Sequence, residues 1–196
     1  MRFPPTLVLC SLIACATLGV SSAQDRAMIL ISYHSQHGHT RTMAEAIERG
    51  ARSVKGVTVK LLGVAETTKE DLLAADAIIV GSPVHNANAS PEVVGFIDRW
   101  PFEGAPLRDK IGAAFVTGGG ISAGEEVAQL SILHSMMIFG MIIVGGPDWI
   151  SPFGASAITG ESPFAASIGV APAFIKKGEA LGKRVAELAV KWKRNR

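Results

Sequence analysis

A short polar segment at residues 35–40 has the residue types and spacing that most clearly suggest chemistry. It follows the apolar run at 28–31 after three residues and directly precedes a helical pattern. A loop that joins a buried strand to a helix N-terminus points backbone amides and the helix dipole at one place, which suits an anion. Two hydroxyl side chains could add donors, and a central glycine allows close approach of a ligand. The predicted phosphate site consists of Ser35, Gln36, His37, Gly38, His39 and Thr40.

The elements that must position this loop alternate along the chain. Hydrophobic periodicity predicts strands at 27–33, 57–62, 77–81, 111–116 and 141–144, and helices at 40–54, 69–74, 91–99, 123–138 and 173–192. Such alternation predicts an α/β fold, with a doubly wound parallel sheet, right-handed crossovers and helices on both faces. Ligands bind such sheets at the carboxyl ends of the strands, so the loops after the first, third and fourth strands should converge.

The loops after the third and fourth predicted strands supply surfaces for a flat ligand. Residues 81–90 are small and polar, and residues 117–124 contain four glycines. One glycine-rich loop is a weak signal, but three suitable loops at the three expected strand ends are much stronger. The predicted ring site has Pro83, Val84, His85, Asn86 and Ala87 on one side and Thr117, Gly118 and Gly119 on the other.

From residue 27 to residue 193 the chain resembles the flavodoxin-like NAD(P)H:quinone oxidoreductases related to the tryptophan-repressor-binding flavoprotein. The family's first loop, S-x-Y-G-[HN]-[TI], is matched by Ser35, Gly38, His39 and Thr40. Its second loop, G-[TS]-P followed by N-x-[SP], is matched at 81–83, 88 and 90. Weaker matches are the glycine run with Glu125, Gly-Met-Ile-Ile-Val at 140–144 and Phe-Gly-Ala at 153–155.

This resemblance implies a flavodoxin-like five-stranded sheet of order 2-1-3-4-5, with FMN as the cofactor. It also implies two-electron transfer from NAD(P)H to quinones and assembly into a dimer or tetramer. In the family, the region corresponding to 145–172 shapes the active site and reaches neighbouring subunits. Flavin chemistry needs orientation and ring hydrogen bonds more than a nucleophile, so we expect none.

Three positions depart from the family pattern and affect the substrate side of the predicted site. His85 and Asn86 stand where the family usually has an arginine and an aromatic residue. Phe139 stands where the family often has a histidine near the flavin ring and the nicotinamide, and the nearest histidine here is His134. We therefore expect the phosphate site to be kept and His85 to be the catalytic residue, as a donor to the reduced acceptor.

Other function classes are weighed by charge and by residue type. Lys and Arg total 19 against 17 Asp and Glu, a net charge of +2, which argues against nucleic-acid binding. A flavodoxin-type electron carrier, usually strongly acidic, is one alternative, and a flavodoxin-fold binding protein without cofactor is another. His34, His37 and His39 lie close together, but their spacing fits no common metal-ligand frame, so no metal is predicted.

The first residues are typical of a secretory signal rather than of a folded element. Arg2 precedes an uncharged apolar segment at 7–20, and small residues at 21–23 would allow cleavage after Ala23. We expect a signal peptide at 1–23, a flavodoxin-like domain at 24–196 and an exported, periplasmic or secreted protein with no stable membrane insertion. A retained membrane anchor and a lipid anchor on Cys15 are the alternatives. Both cysteines, Cys10 and Cys15, lie in this segment, so thiol chemistry is excluded for the mature chain.

Overall fold

A central sheet of parallel strands with helices on both faces organises the protein in a computed structural model, which describes residues 26–165 and 169–195. The predicted signal peptide lies outside the described residues. The strands are β1 Ala27–Tyr33, β2 Val57–Gly63, β3 Ala77–His85, β4 Asn88–Ala89, β5 Ile111–Gly118, β6 Ile142–Ile143 and β7 Ala155–Ile158. The helices are α1 His39–Arg52, α2 Lys69–Ala74, α3 Pro91–Asp98, α4 Glu125–Ile138 and α5 Pro172–Arg194. Among these described helices, none combines the length and the apolar character needed to cross a bilayer.

The order of the strands confirms the predicted doubly wound sheet. β2, β1, β3, β5 and β6 lie side by side in that order, and each neighbouring pair is parallel. This is the order 2-1-3-4-5 for the main strands, because β4 is only the return strand of a hairpin with β3. The switch between β1 and β3 places their carboxyl ends beside a crevice, where such sheets bind ligands.

The fifth position of the sheet is shared by two short strands. β6 pairs with Ile111 and Gly112 at the beginning of β5, whereas β7 pairs with the second half of β5, from Phe115 to Gly118. The chain leaves the sheet between them, at residues 144–154. The predicted fifth strand at 141–144 therefore describes only the first half of this edge. The second half brings the residues after β7 alongside the carboxyl end of β5.

Alternate residues of each central strand are buried against different helices. Ile29 and Ile31 of β1 belong to a core cluster with residues of α1 and α5. Leu30, which points to the opposite face, packs in a second cluster with residues of α3 and α4. Burial on both faces explains why the strands have continuous apolar sequences rather than alternating ones.

Helices α1 and α5 pack unusually close together because glycines face the contact. A Cβ atom at Gly182 would overlap the carbonyl oxygen of Ile47, and one at Gly50 would overlap the carbonyl oxygen of Glu179. The contact is therefore backbone against backbone. It fixes α1, whose first turn follows the predicted phosphate loop.

The hydrogen bonds of Asp71 make the stability of the folded state depend on pH. Its carboxylate accepts hydrogen bonds from Lys60 Nζ at 2.5 Å and from the Thr68 backbone N–H at 3.0 Å, and Thr68 Oγ1 accepts in return from the Asp71 N–H. The bond from Lys60, followed by the bond from Thr68, lowers the pKa of Asp71. The ionised carboxylate therefore stabilises the folded state above the usual aspartate pKa, and this contribution is lost as the pH falls through the lowered value.

We expect Asp71→Asn to lower the free energy of unfolding at pH 7 by about 1 kcal/mol, the typical value of a helix cap. The difference from wild type should shrink as the pH falls below about 4, where the aspartate of the unfolded chain is protonated. Urea unfolding at several pH values measures this. Asp98→Asn is the control, because the Asp98 side chain, at the end of α3, forms no hydrogen bond or ion pair with the described residues. A difference that stays constant down to pH 3 would contradict the assignment.

Candidate active site

The loop between β1 and α1 presents a run of unpaired backbone donors. The N–H groups of residues 36–40 donate to no acceptor in the described part of the chain, whereas those of Arg41 and Thr42 bond to Ser35 Oγ and the Gly38 carbonyl. Gly38 is the N-cap of α1 and has a φ of +86°, which lets the chain turn into the helix. Consecutive free amides at a helix N-terminus form an anion-binding concavity.

A buried hydroxyl pair joins this loop to the end of β5. Thr40 Oγ1 and Thr117 Oγ1 lie 2.8 Å apart, and both residues are buried. One hydroxyl donates to the other, so the second proton remains available for a ligand or a neighbouring acceptor. The pair holds the predicted phosphate loop at a fixed distance from the glycine-rich loop.

The second predicted loop is a hairpin rather than an open loop. β3 continues to His85, turns through Asn86 and Ala87 with φ values of +47° and +61°, and returns as β4. Asn86 and Ala87 are at the tip of this hairpin, and a Cβ atom on Gly124 would come within 2.5 Å of the Ala87 Cβ. Ala87 therefore packs on the loop before α4. The hairpin presents Pro83, Val84 and His85 to the cavity instead.

A third wall comes from residues that the sequence analysis missed. Thr159 and Gly160, directly after β7, lie beside Gly118 and Gly119, with the Gly160 N–H donating to the Gly119 carbonyl at 2.8 Å. Only the short apolar segment at 155–158, in a region rich in glycine, proline and serine, could have signalled a strand there. Its pairing with β5 depends on tertiary structure.

These walls enclose a cavity of about 310 Å³ at the carboxyl end of the sheet. Most of the predicted site residues line it, whereas Ser35, Gly38, Asn86 and Ala87 do not. Ser35 and Gly38 shape the loop, and the other two form the hairpin tip. The lining residues are Gln36, His37, His39, Thr40, Pro83, Val84, His85, Thr117, Gly118, Gly119, Thr159 and Gly160.

The ionisable groups at the cavity are three histidines that line it, His37, His39 and His85, with His34 and Glu92 beside it. His34 Nε2 lies 3.6 Å from Glu92 Oε2, and His85 lines the cavity. A hydrogen bond from its own backbone N–H lowers the pKa of Glu92, and His34 and His85 add to this effect. The ionised form of the Glu92 carboxylate is thus favoured beside His34. Within residues 26–165 and 169–195, no group of three or more His, Cys, Asp or Glu is arranged to hold a metal ion.

Phe139 does not lie where the family pattern led us to expect it. It follows α4 and contacts the aromatic rings of Trp100 and Phe102, with ring centroids 5.3 and 5.8 Å apart. This aromatic group is at the amino end of β5, opposite the cavity. A larger surface depression of about 700 Å³ lies there. It has none of the loop amides described above, so we assign the chemistry to the smaller cavity.

Comparison with known proteins places the chain in a family. Residues 64–156 match the family described as NADPH-dependent FMN reductase. An NAD(P)H dehydrogenase (quinone) of Azorhizobium caulinodans is 33% identical over 166 residues, covering 72% of this chain and 82% of that protein. A flavodoxin of Aquifex aeolicus is 39% identical over 127 residues, covering 62% of this chain and 66% of the flavodoxin.

Solved structures agree on the fold. A flavodoxin, WrbA-like protein from Agrobacterium tumefaciens superposes with a TM-score of 0.69 at 22% identity, covering 84% of this chain and 98% of that one. The solved structure confirms the flavodoxin-like fold, and the relatives at 33% identity confirm the resemblance seen in the loop motifs. The chain belongs to the flavodoxin-like NAD(P)H:quinone oxidoreductase family, whose cofactor is FMN.

Proposed function

We propose that the protein binds FMN in the cavity at the carboxyl end of the sheet and transfers two electrons from NAD(P)H to a quinone or a similar acceptor. The observation that carries this proposal is the run of amides at residues 36–40, directly at the N-terminus of α1, which donate to no acceptor among the described residues. Such an arrangement binds a phosphate group without needing a positively charged side chain.

The residues present also fit a planar ring. The cavity walls are largely backbone and small side chains, from Pro83 and Val84 on one side and Gly118 and Gly119 on the other. Its volume of about 310 Å³ is at the lower end of small-molecule sites. Peptide groups on both walls can bond to ring carbonyls and nitrogens, which is the protein's main task in flavin chemistry.

When bound, FMN would accept two electrons from the nicotinamide and pass them to the acceptor. The chain's own residues would bind the phosphate, hold the ring between two peptide walls and leave one side open to substrates. Three histidines line the cavity, and two of them, His37 and His39, belong to the phosphate loop. His85, at the end of β3, lies on the wall that would face the ring and would donate a proton to a reduced acceptor.

The test uses the mature chain, from about Gln24, titrated with FMN while flavin fluorescence is recorded. We expect tight binding, bleaching by NADPH without oxygen and recovery of the oxidised spectrum on addition of a benzoquinone. Binding without bleaching by NADPH would favour a flavodoxin-type carrier, a name borne by the Aquifex aeolicus relative. No binding at micromolar FMN would overturn the proposal.

We also propose that the protein forms a homo-oligomer, a dimer or a tetramer, through the apolar surface at the amino end of the sheet. Phe102, Met137 and Ile138 are 63%, 54% and 71% exposed there, and clustered apolar residues on a surface mark contact sites. The net charge of +2 gives little repulsion between two copies.

Ile138→Glu is expected to shift the protein toward the monomer, because association would bury the new charge without a partner. Light scattering after gel filtration, at several concentrations, measures the mass. Val127→Glu, at a 54% exposed position in α4 that does not line this depression, is the matched control. An unchanged mass for Ile138→Glu would place the interface elsewhere.

We propose, finally, that residues 1–23 direct export, in agreement with their signal-like composition. Sequencing of the mature N-terminus in an expressing cell tests this. A first residue near Gln24 is expected, and a chain that keeps Met1 would contradict it.

A further inference from the structure

The residues that follow β7 are bonded to the glycine-rich loop of the cavity, and we call residues 159–161 the strap. The Gly118 carbonyl accepts two hydrogen bonds from Thr159, one from its backbone N–H at 3.0 Å and one from Oγ1 at 3.2 Å. The Gly119 carbonyl accepts from the Gly160 N–H at 2.8 Å. The two carbonyls therefore both point to the strap.

The strap also holds the far end of the same loop. Glu161 Oε2 accepts the Ile121 N–H at 2.6 Å. A Cβ atom at Gly160 would come within 2.7 Å of the Gly119 carbonyl oxygen, so a glycine is needed for the strap to lie this close. By contrast, a Cβ atom at Gly119 would meet nothing within 4 Å. The side of Gly119 that a side chain would occupy is thus open, and the hydrogen bond from Gly160 to its carbonyl holds Gly119 in place.

Fixing these carbonyls also fixes the amides that share their peptide planes. In a trans peptide the N–H points opposite to the C=O. The N–H groups of Gly119 and Gly120 therefore point away from the strap, to the side of β3, where Pro83 and His85 line the cavity. Neither N–H donates to an acceptor among the residues that the structure describes.

We propose that Thr159 is a positioning residue, whose hydroxyl locks the Gly118–Gly119 peptide so that the Gly119 N–H is presented to the edge of the bound flavin. Three consecutive glycines would otherwise sample many backbone conformations, and ordering them on binding would cost affinity. A donor that is already oriented stabilises the form of the ligand with more negative charge, which is the reduced form. This inference rests on the proposed function.

The experiment measures the midpoint potential and the dissociation constant of bound FMN in Thr159→Val. This change removes the hydroxyl but keeps the side-chain shape and the backbone N–H. We expect reduced FMN to lose three- to tenfold more affinity than oxidised FMN, which makes the potential about 15–30 mV more negative. Thr159→Ser should restore the wild-type potential. Glu161→Ala, which frees Ile121 at an exposed position, should shift the potential in the same direction.

Thr67→Val is the control, because Thr67 Oγ1 also donates to a glycine carbonyl, that of Gly63 at 2.9 Å, but Thr67 does not line the cavity. Thr67 Oγ1 also lies 2.7 Å from Ser32 Oγ, so this variant loses at least as many hydrogen bonds as Thr159→Val. Its potential should equal that of wild type. An unchanged potential in Thr159→Val, or an equal shift in Thr67→Val, would overturn the inference about Thr159. The proposed function would still hold in that case, provided that the wild-type protein binds FMN. Wild-type protein that binds no FMN would overturn both.

Discussion

Gly38→Val is expected to remove most of the affinity for FMN. Gly38 has a φ of +86°, in the left-handed region that a β-branched residue adopts only with strain. Its carbonyl accepts from the Thr42 N–H at 2.9 Å and from Thr42 Oγ1 at 3.1 Å, so the glycine starts the helix as well as shaping the loop. A valine would pull this backbone toward negative φ and disperse the amides of residues 36–40.

The size of the effect follows from the conformational strain. A left-handed non-glycine residue costs roughly 1–2 kcal/mol, so affinity should fall about five- to thirtyfold. A Cβ atom at Gly38 would meet nothing within 4 Å, and the loss should therefore come from the backbone rather than from a clash. Gly38→Asn separates the two causes, because asparagine tolerates this region and should keep most of the affinity.

Fluorescence titration with FMN measures both variants. Gly56→Val is the control, since Gly56 has a similar φ of +83° but lies in the turn before β2, away from the cavity. It should cost stability and leave the FMN dissociation constant unchanged. If Gly38→Val bound FMN as tightly as wild type, residues 36–40 would not be the phosphate site. An equal loss in Gly38→Asn would mean that the added side chain itself blocks the ligand.

The main strands were predictable because burial on both faces leaves a strong mark in the sequence. Strands β1, β3 and β5 are continuous apolar runs, and α3 begins after Ser90 with a proline at its first position, as the sequence predicts. The order of the strands could be predicted only from the resemblance to the family, because local sequence patterns do not indicate which strands are neighbours in the sheet. The phosphate loop was predictable because the residues that form it are contiguous in the chain.

The hairpin at residues 83–89 was not predictable, because its turn lacks the usual signal. Two-residue turns with positive φ at both positions favour Asn-Gly, and here the pair is Asn86 and Ala87. An alanine at a φ of +61° gives no hint of a turn in the sequence. The residues were therefore assigned to a loop along the ligand, although the structure turns them toward α4.

The positions of the strap and of Phe139 were not predictable for a different reason. Both depend on how β6 and β7 share the edge of the sheet beside β5. Thr159 reaches the cavity only because β7 pairs with the second half of β5 after the excursion at 144–154. The sequence predicts one apolar strand before residue 144, but the hydrophobic pattern after residue 154 is too short to predict a second strand. Phe139 lies three residues before β6, and this puts it at the amino end of the sheet.

Gly182→Ala is expected to be among the most destabilising single-methyl changes in the protein. The added Cβ would overlap the Ile47 carbonyl oxygen and would lie 2.8 Å from its carbonyl carbon and 3.0 Å from the Ala51 nitrogen. All three are backbone atoms of α1 and cannot rotate away as a side chain could. Helices α1 and α5 would have to separate. Overpacking of this kind costs about 1–3 kcal/mol or more, beyond the gain of about 1 kcal/mol in helix propensity.

Gly95→Ala gives the matched comparison in another helix. Its Cβ would meet only the Arg99 guanidinium, at 3.6 Å, so the substitution in α3 should raise the free energy of unfolding by about 0.5–1 kcal/mol. Urea unfolding of the two variants should therefore give changes of opposite sign for the same chemical change. If Gly182→Ala stabilised the protein as much as Gly95→Ala, the backbones of α1 and α5 would not be in direct contact. Because α1 begins at the phosphate loop, Gly182→Ala should also weaken FMN binding, whereas Gly95→Ala should not, and this links the helix contact to the site.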